Sequence, residues 1–234
     1  MKCIIVDERA SDQTKHKLSE YGNVIEFPMH SHVYSPISAH PDIFMCLIDN
    51  QLIVSPSVNP SFIKQLKHNN INFIFGNKSI GSNHPDTVGY NVVITKDYII
   101  HNPKYTDRKI FEATEARKTI AVKQFYTRCS LICIENNKFL TSDEGIFKTL
   151  EAEGLSVLKV STNNITLKGL TYGLFGGCCG ISENILFING SISKLDDSLE
   201  IIDFIKSEKT KIIELQDDFL EDIGGIFFVK NIIL

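Results

Sequence analysis

The sequence lacks any run of 18 or more apolar residues, which excludes a helix that spans a bilayer. It also lacks the apolar core of a secretory signal peptide, because the amino-terminal stretch Cys3–Val6 is too short. It has no strong excess of either charge: 24 Lys and Arg against 28 Asp and Glu give a net charge of -4. That mild acidity argues against nucleic acid as the main partner. We therefore expect a cytoplasmic protein with no membrane or nucleic-acid partner.

Cysteine is sparse as well. Six Cys and seven His in a chain without an export signal indicate reduced thiols, not a disulfide framework. The 234 residues, of which 43% are hydrophobic, are typical of a globular protein with one or two domains.

The most informative feature present is a repeat of about 47 residues. Four segments have the pattern strand, polar turn, strand, which is the hairpin signal. The predicted hairpins lie near residues 43–54, 91–101, 131–141 and 176–188. Their turn residues Asn50, Asp97, Asn137 and Asn184 are separated by 47, 40 and 47 positions, and a polar residue follows five positions after each.

Each hairpin precedes a predicted helix and a further strand. The helices are predicted over Pro60–Asn69, Thr106–Arg117, Asp143–Glu153 and Asp196–Lys206. The following strands are predicted over Ile71–Phe75, Thr119–Val122, Ser156–Val160 and Lys211–Leu215. Asp143 is a predicted N-cap and Gly154 a predicted C′ residue.

A fifth unit is predicted in two pieces, residues 226–234 and residues 3–27. Pairing of the carboxy-terminal strand with the amino-terminal one would close a pseudo-fivefold ring and remove the exposed sheet edges. The prediction is a single α/β domain over residues 1–234, an α/β-propeller of about five ββαβ units. The alternative is an open α/β sheet made of unrelated units.

This architecture resembles the pentein, or α/β-propeller, superfamily over essentially the whole chain. One branch contains guanidine-modifying enzymes, and the other contains non-catalytic ribosome anti-association factors of similar length. The chain is also similar to small bacterial penteins of unassigned function. The resemblance implies either a ligand site in a central channel or a rim that binds a macromolecular partner.

The enzymes of that superfamily use a Cys nucleophile, a His base and carboxylates that hold the guanidinium. Their Cys lies in the last unit, soon after a Gly-Gly turn. Here the comparable stretch is Asp222–Phe228, in which Gly224 and Gly225 are present but Phe occupies the expected thiol position. No clear counterpart of the central catalytic His is found either. Both departures argue against the standard deiminase reaction.

Two long loops precede the first two hairpins and end in the same tripeptide, His40-Pro41-Asp42 and His84-Pro85-Asp86. A His and a carboxylate at equivalent places could form a cation pocket or an acid/base pair. We therefore predict His40 and Asp42 as catalytic and Asp86 as ligand-binding. In the structural alternative, Pro shapes the turn and Asp caps backbone NH groups.

Cys178 and Cys179 lie among glycines at the start of the fourth hairpin. Cys178 is predicted as an accessible nucleophile ahead of Cys179, and the alternative is a small apolar filler. Cys129 begins the third hairpin and is a second candidate thiol.

Three further polar residues at hairpin entrances, Asn91, Arg128 and Asp222, are predicted ligand contacts. Arg128 would bind a carboxylate in a bidentate manner, or else would be a solvated surface residue. His30 and His32 share a face if extended, but no acidic or Cys residue has the expected ligand spacing, so no metal is predicted. No cofactor is predicted, and the oligomeric state is not predicted.

Two functional hypotheses follow. In the first, the protein binds, and could modify, a guanidino- or amino-acid-like ligand. If it is an enzyme, it acts on C–N bonds as a hydrolase or transferase. In the second, it is a non-catalytic binding module for a partner such as the ribosome. A weaker third reading is a structural domain with no ligand.

Overall fold

The computed structural model describes residues 2–135, 137–206 and 210–232. Residues 233 and 234, which end the predicted fifth unit, and Asn136, in the predicted third turn, lie outside the described residues. The strands are β1 (Lys2–Asp7), β2 (Asn23–Phe27), β3 (Met45–Ile48), β4 (Gln51–Val54), β5 (Phe73–Phe75), β6 (Val93–Ile94), β7 (Tyr98–His101), β8 (Lys118–Ala121), β9 (Leu131–Glu135), β10 (Lys138–Thr141), β11 (Ser156–Lys159), β12 (Ile165–Thr166), β13 (Cys179–Ser182), β14 (Ile185–Ile188), β15 (Lys211–Glu214), β16 (Leu220–Glu221) and β17 (Phe227–Lys230).

Helices alternate with these strands. They are α1 (Asp12–Ser19), α2 (Pro41–Phe44), α3 (Pro60–His68), α4 (Arg108–Ala113), α5 (Thr127–Ser130), α6 (Glu144–Ala152) and α7 (Ser198–Lys206). Short 3₁₀ turns cover Ser35–Ile37, Phe175–Cys178 and Ile192–Lys194. No helix in the described ranges is long and apolar enough to cross a membrane.

Five three-stranded sheets share one topology. In each, an antiparallel hairpin is followed by a third strand that runs parallel to its second strand. The sheets are β17-β1-β2, β3-β4-β5, β6-β7-β8, β9-β10-β11 and β13-β14-β15, and a two-stranded sheet joins β12 to β16. The described residues form these separate sheets and no single closed sheet.

The terminal strands pair as expected from the split fifth unit. β1 runs antiparallel to β17, with Cys3 opposite Val229 and Ile5 opposite Phe227. Both strands are apolar and mostly buried, so the two ends of the described chain share one sheet and one core.

Each long helix covers its sheet through a two-residue apolar stripe spaced four residues apart, as helical periodicity requires. The buried pairs are Phe62 and Leu66, Ile146 and Leu150, and Ile201 and Ile205. The predicted caps of α6 are confirmed. The Asp143 side chain accepts a hydrogen bond from the Ile146 NH at 2.7 Å, and Gly154 has φ +75°.

The hairpin entrances differ from the prediction in one respect. Ile43 and Phe44 were predicted as strand but lie in α2, and Cys129 lies in α5 instead of starting a strand. Pro41 occupies the first helical position, where its fixed φ suits a helix and its missing NH costs no hydrogen bond. These single helical turns bring the chain into the centre of the molecule.

The Gly224-Gly225 turn is required by its conformation and by its contacts. Gly224 and Gly225 have φ +69° and +76°, which L side chains rarely adopt. A methyl group at Gly224 would also collide with Cα and Cβ of His40. The turn is held by the Gly225 NH, which donates to the Gly177 carbonyl at 2.7 Å. Its glycines therefore allow the last unit to pack directly against His40.

We expect Gly224→Ala to destabilise the fold by about 2–4 kcal/mol, because positive φ and overpacking add. Gly154→Ala is the matched control: Gly154 also has positive φ, but no atom lies within 4 Å of the added methyl. Its cost should be the conformational one alone, about 1 kcal/mol. Urea unfolding of both variants measures the difference, and equal losses would contradict the packing argument.

Candidate functional site

Five predicted site residues from four hairpin entrances converge at the centre of the protein. His40 precedes α2, Asp42 lies in α2, Asn91 precedes β6, Cys129 lies in α5, and Asp222 follows β16. None is more than 3% exposed. The sequence predicted their convergence, but it placed them on an accessible channel surface and not in the interior.

Asn91 connects three of these entrances. Its Oδ1 accepts hydrogen bonds from the backbone NH groups of Arg128 at 2.7 Å and Cys129 at 3.2 Å. Its Nδ2 lies 3.2 Å from the Asp42 carbonyl oxygen and 3.2 Å from Cys129 Sγ. The Cys129 thiol donates to Asp42 Oδ2 at 2.9 Å. Asn91, Asp42 and Cys129 form the buried polar group that we call the floor of the site. Asn91 is therefore a structural link in this floor, and not an exposed ligand contact.

His40 lies between two buried carboxylates. Its Nδ1 is 3.8 Å from Asp222 Oδ1, and its Nε2 is 3.9 Å from Asp7 Oδ2. Asp7 is held by Arg9, whose Nη2 lies 2.7 Å from Asp7 Oδ2. Asp222 accepts backbone hydrogen bonds from Gly224 and Leu174, each at 3.0 Å. Asp222 is thus fixed by backbone NH groups of two other residues, while Asp7 has a full cationic partner.

Burial dominates the electrostatics of the site. It lowers the pKa of His40 to about 4, so the imidazole is neutral at pH 7. Burial, and then the nearby charge of Asp222, raise the pKa of Asp42 to about 7. The pKa of Asp222 is also raised by burial, although His40 and backbone NH groups oppose this. Burial and Asp42 raise the pKa of Cys129 well above its usual value, so the thiol is protonated.

A cavity of about 320 Å³ lies over this cluster. His40, Cys129 and Asp222 are part of its lining, and Tyr34 and Tyr126 form one wall. Their hydroxyl oxygens are 3.4 Å apart, and the Tyr126 hydroxyl lies 2.8 Å from Thr87 Oγ1. The cavity therefore combines an aromatic wall with a buried polar floor.

A loop of residues 167–174 supplies a further part of the cavity lining, which we call the roof. Residues 167–174 contribute Leu167, Leu170, Tyr172 and Leu174 to the lining. Leu170 is 49% exposed and Tyr172 is 55% exposed, so this loop is outside the packed core.

The prediction that Asp86 faces the same site as Asp42 is wrong. Asp86 is exposed and lines a different cavity, together with Lys78 and Tyr105. Its backbone forms a turn, since its NH donates to Asn83 and its carbonyl accepts from Gly81. This turn directs the second His-Pro-Asp loop to that other cavity. It is formed by the backbone of Asp86, whereas the structural alternative gave the capping role to its side chain.

The prediction of an accessible Cys178 is also wrong. Cys178 and Cys179 are both 0% exposed and belong to an apolar cluster. The Cys178 thiol lies 3.5 Å from the Leu174 carbonyl, and burial raises its pKa well above its usual value. A buried, protonated thiol of this kind is inert, as in the small-filler alternative.

Arg128 is a structural cation in place of the predicted carboxylate contact. Its guanidinium donates to the carbonyl oxygens of Gly176 at 2.6 Å and Cys179 at 2.9 Å. It also lies 5.7 Å from the ring centre of Phe227. Arg128 and Phe227 line a separate cavity of about 490 Å³. Phe227 thus lies after the Gly-Gly turn, in the segment where the related enzymes have their nucleophilic Cys, and it contacts Arg128 there.

His30 and His32 do not form a metal site in the described structure. His30 is buried against Phe44, with ring centres 4.2 Å apart, and its Nε2 accepts a hydrogen bond from the Asn59 NH at 3.0 Å. His32 is exposed. His30 therefore packs as an aromatic side chain.

Sequence reasoning did not identify Asp7, Tyr34 and Tyr126. Asp7 is the last residue of the apolar strand β1, and a polar residue at the end of a buried strand could have indicated a site residue. The two tyrosines belong to irregular loop segments 92 positions apart, so no periodic pattern relates them.

Comparison with known proteins gives one family and a set of similar structures. The model of the "Family of unknown function (DUF6873)" matches residues 5–227. No curated protein matches the chain.

The similar structures are enzymes of the pentein superfamily. A dimethylarginine dimethylaminohydrolase adduct with S-methyl-L-thiocitrulline has a TM-score of 0.59 at 11% identity, covering 91% of each chain. DDAH from Pseudomonas aeruginosa, complexed with citrulline, has a TM-score of 0.55 at 9% identity, covering 97% of this chain and 98% of that one. Agmatine deiminase from C. jejuni has a TM-score of 0.57 at 10% identity, covering 92% and 86%. At these identities the likeness shows the shared fold.

The raised pKa of Asp42 makes stability depend on pH. Between about pH 4 and pH 7 the folded protein retains a proton that the unfolded chain loses, so Asp42 lowers stability as pH rises. Buried His40 and His101, each with a pKa of about 4, act in the opposite direction up to about pH 6.5. Comparing Asp42→Asn with wild type at each pH isolates the carboxyl.

We expect the variant to gain stability relative to wild type as pH rises from about 4 to about 7, by on the order of 2–4 kcal/mol. Denaturant unfolding across this range measures the difference. A difference that does not vary with pH would contradict the assigned shift.

Proposed function

The chain belongs to the DUF6873 family of unknown function, and we propose that it binds a small guanidino- or amino-acid-like cation in the cavity over Asp222. The observation that carries the proposal is the environment of this carboxylate. Asp222 is 3% exposed and lines the cavity, and its only ion-pair partner among the described residues is His40. Because His40 is neutral at pH 7, no full positive charge lies within ion-pair distance of Asp222 among the described residues.

A cationic ligand would supply that charge. A buried carboxylate is costly unless it is paired, and a planar guanidinium pairs with it through two parallel hydrogen bonds. Asp222 is already oriented by its backbone NH donors, so little ordering would be needed. Asp42, by contrast, is part of the floor beneath and does not line the cavity.

The cavity walls fit the same ligand class. Tyr34, Tyr126 and Tyr172 surround the space, and aromatic rings attract cations across their faces. A volume of about 320 Å³ is at the lower end for small-molecule sites. It suits a ligand of amino-acid size. The fold likeness to proteins whose structures contain citrulline or S-methyl-L-thiocitrulline supports this class by analogy.

Binding, and not the standard deiminase reaction, is the function we propose. In the last unit Phe227 follows the glycine pair and stacks against Arg128, so no thiol is available there. Cys129 lines the cavity but is protonated and donates to Asp42. A protonated thiol is a poor nucleophile, so the chain's own residues do not present an activated sulfur.

We also propose that the five three-stranded sheets are the blades of one pseudo-fivefold α/β-propeller over residues 1–234. The common topology of the sheets and the pairing of β1 with β17 support this arrangement. It accounts for four of the hairpin entrances delivering polar residues to one central site.

A thermal-shift screen with guanidino compounds and amino acids tests the function. We expect a guanidino compound to raise the melting temperature of wild type, because ligand that binds only the folded state stabilises it. Asp222→Asn should abolish this shift, since the amide keeps the shape but removes the charge. Asp86→Asn is the matched control, because Asp86 is an exposed carboxylate in a different cavity.

A shift that persists in Asp222→Asn, or that Asp86→Asn also removes, would contradict the assigned carboxylate. No shift with any compound would overturn the binding proposal and would favour the alternative of a rim that binds a macromolecular partner.

A further inference from the structure

Three potential metal ligands of different chemistry meet beside the cavity. One ligand atom each from His40, Asp42 and Cys129 lies within 4.8 Å of the others. It is the only such His, Cys, Asp or Glu group among the described residues. The three residues come from two hairpin entrances 87 positions apart, at the ends of the Cys129–Asp42 hydrogen bond.

Two buried polar atoms of this group lack partners. His40 Nδ1 and Asp42 Oδ1 have no hydrogen-bond partner in the described structure. His40 is 1% exposed and Asp42 is 0% exposed, so bulk solvent does not reach these atoms. Buried polar atoms are normally satisfied, and each exception requires an explanation. A bound cation would explain both.

We propose that His40, Asp42 and Cys129 form a binding site for a divalent transition metal such as Zn²⁺. A set of one imidazole, one carboxylate and one thiolate suits zinc and cobalt. It does not suit Mg²⁺ or Ca²⁺, because these ions prefer oxygen ligands. Ligand atoms in a tetrahedral zinc site are about 3.5 Å apart. The longest separation in the group would therefore shorten by about 1 Å, while the Cys129 Sγ–Asp42 Oδ2 distance of 2.9 Å would lengthen. On binding, the Cys129 S–H bond breaks, its proton leaves to solvent and the sulfur lone pair coordinates the metal.

The surroundings provide the supporting contacts of such a site. Asn91 Nδ2 lies 3.2 Å from Cys129 Sγ and would donate to a bound thiolate. The Asp7 carboxylate lies 3.9 Å from His40 Nε2, on the far side of the ring from Asp222. An amide donor to the thiolate orients that ligand, and the Asp7 carboxylate would orient His40 after closing by about 1 Å to hydrogen-bond distance.

Charge and access are also consistent with a metal. A dication bound to one thiolate and one carboxylate gives a centre of zero net charge. Asp222 is not one of these ligands, so it remains available to an organic cation. His40 and Cys129 line the cavity whereas Asp42 lies beneath it, so a fourth coordination position would face the cavity. Three protein ligands with one open position are typical of catalytic and not structural zinc sites.

Titration of the full chain with Co²⁺, without any guanidino compound, tests this site. We expect one equivalent to bind and to produce the intense near-ultraviolet absorption of a thiolate–cobalt bond. Cys129→Ala should abolish this absorption and weaken binding by more than about 100-fold, since even supporting contacts contribute 10–100-fold. Asn91→Ala should weaken binding by about 10–100-fold while keeping the absorption.

Cys178→Ala is the matched control, because it removes a neighbouring buried thiol outside the ligand group. It should bind Co²⁺ like wild type. Asp42→Asn provides a second, isosteric loss-of-ligand variant if Cys129→Ala fails to fold. Absence of stoichiometric binding, or an absorption that survives in Cys129→Ala and disappears in Cys178→Ala, would overturn the proposal. If wild type shows a thermal shift with a guanidino compound but does not bind Co²⁺, only this inference is overturned. If wild type binds Co²⁺ but shows no thermal shift with any compound, only the ligand proposal is overturned.

Discussion

The hydrogen bonds of the Asn91 side chain are the interaction on which the centre of this protein depends. One amide contacts the backbone of the third unit, the backbone of the first unit and the Cys129 thiol. No helix or sheet ladder joins these segments, because each belongs to a separate sheet. The amide therefore takes the place of a regular hydrogen-bond ladder, and it fixes Asp42 and Cys129 in a mutual geometry that neither unit could impose alone. In a dry interior, such a network is strong only while each member is satisfied.

Much of the architecture could be predicted because it is local. The strands predicted over Ser156–Val160 and Lys211–Leu215 are each one residue longer than β11 and β15, and α3 and α6 were predicted within one residue at each end. Their apolar spacing and polar turns are properties of short segments. The entrances were harder to predict, because a helix of four residues such as α2 leaves too few positions for a periodic signal.

The sequence predicted which residues meet at the candidate site, but it did not predict how deeply they are buried. Position at a hairpin entrance correctly identified His40, Asp42, Cys129 and Asp222 as residues that meet. Asp86 was chosen because it repeats the His-Pro-Asp tripeptide, and this choice was wrong because its loop turns on itself before the hairpin. Burial decides which hydroxyls, thiols and carboxyls hold protons, and burial results from contacts between distant units. Sequence reasoning therefore treated Cys178 as accessible although it is fully buried.

The roof of the cavity has a consequence for how this family could diversify. The floor is built from interlocked polar groups in the core, where most substitutions leave a donor or acceptor unsatisfied. Leu170 and Tyr172, in contrast, lie on a loop and are half exposed. Changes there alter the size and polarity of the enclosed space at little cost to folding, since loops tolerate variation better than packed elements. Under the proposed binding function, the range of ligands could therefore evolve at the roof while the polar groups of the floor stay the same.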